Sequence, residues 1–242
     1  MWEDLEDSLG HDWASGDAGE HCVARSRYVP SSSPHARQRM QEQVYYLHCR
    51  DRHDAEDETR ELFTGGETGT SRADARALLW DSRSVKSVCF HRIILSPSKG
   101  LGITTAEEAQ RWARSVMEAL GQRLDRDLTW VGAAHLNTGR LHVHLLVAGE
   151  GAQPSKAGAR RVVRFTKSDL KAIEERIGVG AARPIREERQ GREFNAARER
   201  QAARMDDLDR RLGVPTSATK PTETNTPAPR ATPKQRWWQR RT

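Results

Sequence analysis

The stretch from Trp130 to Gly149, WVGAAHLNTGRLHVHLLVAG, decides how the rest of the chain is read. Two apolar segments flank a short polar turn of Asn137, Thr138 and Gly139, residue types that favour chain reversal. This pattern predicts two strands paired as a hairpin. Alternate residues on a strand point to the same face, so His142 and His144, separated by Val143, present two imidazoles side by side. The reversal sets His135, at the end of the first strand, beside them. Three neutral imidazoles on one face of a sheet make a site for a divalent metal with coordination positions left open.

Working outward, Val85 to Leu95 (VKSVCFHRIIL) is the clearest further strand, closed by Ser96-Pro97 and the Lys99-Gly100 loop. Thr104 to Leu120 is an amphipathic helix with Thr105 and Glu108 as a capping box. Ala109, Trp112, Ala113, Val116, Met117 and Leu120 form its apolar stripe. Upstream, Val23 to Val29 reads as a strand, and Ala36 to Arg50 as a helix carrying Tyr45 and Tyr46, with Met40, Val44 and Leu47 on its apolar side. Asp51 to Thr70 is polar and reads as a mobile surface segment, and Ser71 caps a short helix to Trp80. Downstream come a loop from Gly151 to Arg161, a short strand from Val162 to Phe165, and a helix from Thr166 to Ile177. Ile185 to Leu212 forms a long charged helix. The expected fold is α+β: an antiparallel sheet with helices packed on one face and the other face left available.

Four segments follow from this order: an acidic, disordered leader over 1–21, a core domain over 22–180, the charged helix over 181–212, and a disordered basic tail over 213–242. The leader could instead be a short amphipathic helix shielding a basic groove. Lys and Arg number 40 against 34 Asp and Glu, a formal net charge of +6 that permits a nucleic-acid partner without requiring one. No apolar run reaches the roughly 18–20 residues of a membrane span, and the acidic N-terminus is unlike a signal peptide. Cys22, Cys49 and Cys89 are scattered, with no C-x-x-C spacing, which argues against a disulfide framework or thiolate metal site and for a reducing cytoplasm.

A metal held by imidazoles alone acts as a Lewis acid and can activate water or polarise a phosphate. Activating water requires a nearby base, yet H-E-x-x-H is absent and no carboxylate lies between His135 and His144. Polarising a phosphate requires a nucleophile from elsewhere, and Tyr45-Tyr46 is the evident source. A tyrosine of pKa ~10 attacks once a metal, base or cation favours its phenolate. Adjacent helical residues point about 100° apart, so at most one of the two faces the site. Core packing of both rings is the competing reading.

The pattern H-x-N-T-x-x-x-H-x-H, the preceding strand ending in Ser96-Pro97, and Tyr46-Leu47 followed by Arg50-Asp51 resemble the HUH conjugative relaxases. The likeness is closest to the mobilisation nucleases of plasmids and integrative elements. It runs from about Cys22 to Leu212, where ARMDDLDRRL is similar to the family's arginine-rich helix ending. The resemblance implies that His135, His142 and His144 bind Mg2+ or Mn2+ and that Tyr46, with Tyr45 the alternative, is the nucleophile. Asn137 stands where many members carry an Asp that orients a ligand histidine, and the Pro common before the second histidine is absent. The implied activity is a site- and strand-specific nick in single-stranded DNA at a transfer origin, leaving a 5′-phosphotyrosine and a free 3′-OH. Implied partners are that DNA, accessory relaxosome proteins and a type IV secretion coupling protein. The implied setting is the bacterial cytoplasm without membrane insertion, with export attached to the transferred strand. Arg160, Arg161, Arg164 and Lys167 are expected to contact phosphates, a solvated basic face being the alternative. A replication initiator or transposase with the same site, and a DNA-binding module without catalysis, remain competing readings.

Overall fold

A computed structural model of the chain describes residues 19–49, 60–135, 141–154 and 156–212. Most of the acidic leader, the Asn137 turn and the tail after Leu212 lie outside the described residues. The chain divides into two compact units, Met1–Arg192 and Glu193–Thr242.

Strands β1 (Cys22–Pro30), β2 (Val88–Pro97), β3 (Trp130–His135) and β4 (His142–Ala148) form one antiparallel sheet in the order β1-β2-β4-β3. Helices α1 (Ala36–His48) and α2 (Arg72–Asp81) precede β2, and α3 (Ala106–Leu124) precedes β3. The side chains expected to start α2 and α3 do so. Ser71 Oγ accepts the Asp74 amide, and Thr105 and Glu108 close a reciprocal capping box.

Helices cover both faces of the sheet, not one. On one face Val143, Leu145 and Val147 pack with Trp112, Val116 and Leu120 of α3. On the other, Leu146 and Ala148 pack with Met40, Val44 and Leu47 of α1 and Leu79 of α2. The cause is visible in β4 itself, HVHLLVA, which is buried at all seven positions. A strand apolar on both sides needs two covering layers. That second layer sets α1, with its tyrosines, over the face that carries His142 and His144.

Two further expectations are corrected. Part of the segment taken as mobile surface is core: Leu62 and Phe63 are buried. Phe63 exchanges two backbone hydrogen bonds with Gly132 at the β3 edge, and its ring meets Trp130 edge-on at 5.5 Å. A Cβ on Gly132 would come within 3.1 Å of the Phe63 ring, so the glycine makes room for this pairing. The segment after β4 is not a loop but a hairpin of β5 (Glu150–Gln153) and β6 (Lys156–Val162).

Thr166 and Asp169 cap α4 (Lys167–Ala172), which continues through a π-helical turn (Ile173–Ile177) into α5 (Gly178–Arg211). The helix passes through Gly178, Gly180 and Pro184, which read as breakers in sequence, because packing holds it in place. A Cβ at Gly178 would lie 2.3 Å from Cys22 Sγ, the Trp112 indole donates to the Gly178 carbonyl at 2.8 Å, and Ala182 and Ile185 are buried. Burial is the main cause that pushes the Cys22 thiol up to about 12, and the thiol donates to the Ile173 carbonyl. Arg189 of α5 pairs with Glu108 of α3, holding that carboxyl at about 2 against the opposing effect of burial. In the second unit, the described part of α5 is solvated and carries an Arg211–Asp207 pair at 3.0 Å. Among the described residues no helix is long and apolar enough to cross a membrane.

Candidate metal centre

The strand register assembles the three histidines. His135 pairs directly with His142, and His144 lies two residues further along the same face, opposite Ala133 and Ile94. His135 and His144 stack with ring centroids 4.1 Å apart, and His142 lies 5.4 and 4.8 Å from them. All three are buried, and one ring nitrogen from each falls within 4.8 Å of the others. No carboxylate belongs to this group among the described residues. Burial, reinforced by His144, Arg60 and His142, holds the His135 imidazole well below its ordinary pKa. It is therefore neutral, the form that ligates a metal. Its Nδ1 is buried and without a hydrogen-bond partner among the described residues. Three neutral nitrogen donors in mutual reach fit a divalent ion with open positions.

The two adjacent tyrosines part company. Tyr46 turns its ring to the histidines, with centroids 6.0 Å from His135 and 5.8 Å from His144. Tyr45 points outward, 50% exposed, with the Arg72 guanidinium 5.7 Å from its ring centroid. The 100° helical step decides this. Val44 and Leu47 are buried against the sheet, which leaves Tyr46 beside them and Tyr45 beyond the interface.

The basic residues expected to meet DNA are placed elsewhere. Arg160 of β6 donates to the Asp81 carbonyl at 3.0 Å and Arg164 to Ser87 Oγ at 3.2 Å, while Arg161 and Lys167 are exposed nearby in sequence. Ser87 immediately precedes β2, whereas the β2 residue paired with His144 is Ile94. Seven residues of strand span about 20 Å. These cations occupy the opposite end of the sheet from the imidazoles. Asn137 lies outside the described residues.

One neighbour escaped the sequence reading. Arg60 Nη1 donates to His135 Nε2 at 3.2 Å. The arginine is pinned to the end of α1: its amide donates to the His48 carbonyl at 2.7 Å, and the His48 ring nitrogen Nδ1 donates back to the Arg60 carbonyl at 2.9 Å. Nothing in the local pattern around Arg60 marks it, because the contact spans 75 positions.

No protein-family model matches the chain, and no curated protein matches it either.

Proposed function

We propose that the chain is a metal-dependent DNA relaxase that nicks one strand at a transfer origin by transesterification. The observation that carries this reading is the approach of Tyr46 to the histidine group, about 6 Å between ring centroids, on a face where α1 and the β3–β4 hairpin meet. The resemblance in motif order supports it. His135, His142 and His144 would hold Mg2+ or Mn2+, which supplies Lewis acidity toward the non-bridging oxygens of a phosphodiester. Tyr46 Oη loses its proton and forms a bond to phosphorus, while the bond from phosphorus to the 3′ oxygen breaks and that oxygen takes up a proton. The products are a 5′-phosphotyrosine and a free 3′-OH. One phosphodiester replaces another, so the reaction is reversible and can rejoin the strand.

Tyr45, set outward beside Arg72, is suited to stacking a base near the site and not to attack. Incubation with a single-stranded oligonucleotide from the element's own transfer origin and Mn2+ tests the proposal. A covalent adduct stable in SDS should form in wild type and Tyr45→Phe and be lost in Tyr46→Phe. The reverse pattern would move the nucleophile to Tyr45. Tight binding of the oligonucleotide without adduct would favour a DNA-binding module on the same scaffold.

A further inference from the structure

A fixed cation beside a metal site is a liability unless something anionic comes between them. Arg60 is such a cation: its guanidinium lies at the His135 ring nitrogen, inside a group of three buried imidazoles. Like charges a few ångströms apart in a partly dry site repel by several kcal/mol, so the arginine opposes metal binding by the bare protein. It also donates a hydrogen bond to His135 Nε2, engaging a lone pair that a metal ligand would offer. Yet the arginine is not a loose side chain that wandered in. Two backbone-directed bonds with His48 lock its main chain to the helix end that carries Tyr46, and Nη1 lies 3.5 Å from the Cys49 carbonyl.

We propose that Arg60 is an anion clamp that makes metal and phosphodiester binding mutually dependent: without nucleic acid the guanidinium caps His135, and with it the guanidinium moves to the phosphate. The proposal rests on the reading of the histidine group as a metal centre that receives a phosphodiester. An anionic phosphate neutralises the repulsion between ion and guanidinium, so each ligand strengthens the other by the same factor. Arginine suits the task because its planar fork keeps its charge at any pH and matches phosphate oxygens in pairs. The backbone anchors restrict the swing to the side chain.

The test needs no nicking. Mn2+ binding to full-length protein is measured by electron paramagnetic resonance, alone and with saturating oligo-dT, for wild type, Arg60→Gln and Arg60→Lys. Oligo-dT should tighten Mn2+ binding in wild type and Arg60→Lys. In Arg60→Gln the protein alone should bind Mn2+ about tenfold more tightly than wild type, a shift of about 1.4 kcal/mol, and the tightening by oligo-dT should largely vanish. Unchanged or weaker Mn2+ binding in Arg60→Gln alone, or full tightening by oligo-dT in that variant, would overturn the proposal and make Arg60 a strut. Thermal melts confirm that each variant is folded; should Arg60→Gln fail to fold, Arg60→Met carries the same comparison. Failure of the relaxase reading shows separately, as absence of a covalent adduct with these couplings intact.

Discussion

The sheet buries histidines on both faces, and the two environments differ in kind. On the α3 side His91 of β2 is 4% exposed, donates from Nε2 to the Val163 carbonyl at 2.9 Å, and meets the Phe165 ring edge-on at 4.6 Å. On the α1 side His135, His142 and His144 are equally buried but lie against one another and Tyr46. Burial therefore does not distinguish them. His91 uses its proton to tie the segment after β6 to the sheet. His135 instead presents a nitrogen lone pair toward a cation, Arg60. A solitary imidazole satisfied by a carbonyl is a structural tie; several imidazoles with converging nitrogens are a ligand set.

The sharpest way to break this distinction is to remove one histidine from each face. His142→Ala should weaken Mn2+ binding by at least about a hundredfold, since one ligand of three is lost, as read by electron paramagnetic resonance. His91→Phe should leave Mn2+ binding within about twofold. Equal losses in both variants would erase the difference between the two sites. The next effect is on stability. His91→Phe leaves the Val163 carbonyl without its donor and should cost about 1–2 kcal/mol by denaturant unfolding.

The smallest effect concerns pH. Burial is the main cause that lowers the His91 pKa from its ordinary 6.5, with the hydrogen bond to Val163 opposing it. The unfolded chain takes up this proton near pH 6.5, while the folded one does so only at lower pH. Its contribution to stability is thus complete above about pH 6.5 and is lost as pH falls below that toward the folded value. Wild type should lose stability over this window more steeply than His91→Phe. His135, shifted in the same direction, keeps some slope in the variant. Identical slopes would mean that His91 carries no such linkage.

How far these features were legible in sequence depends on their range. The β3–β4 hairpin and its histidine register follow from alternation over a few residues, and the caps at Ser71, Thr105 and Thr166 from spacings of three. The choice between Tyr45 and Tyr46 needed the facing sheet, because helical geometry alone only says that the two diverge. Phe63 was hidden in a polar stretch, since its burial comes from pairing with Gly132 across the fold. The continuation of α5 past Gly178 and Pro184 depends on Cys22 and Trp112, both distant in sequence. The second helical layer was foreshadowed by the unbroken apolar run Leu145 to Ala148, which an alternating half-exposed strand would lack. Arg60 was beyond reach altogether, a long-range contact made by an ordinary surface-type residue.

Mass-spectrometric mapping of the covalent product tests the central claim most directly. Protein incubated with single-stranded origin DNA and Mn2+ is digested and the nucleotide-bearing peptide is sequenced. The account requires one phosphotyrosyl peptide, modified at Tyr46 and joined through the 5′ phosphate. Modification at Tyr45, or cleavage that leaves a free 5′ phosphate on DNA with no labelled peptide, would contradict it.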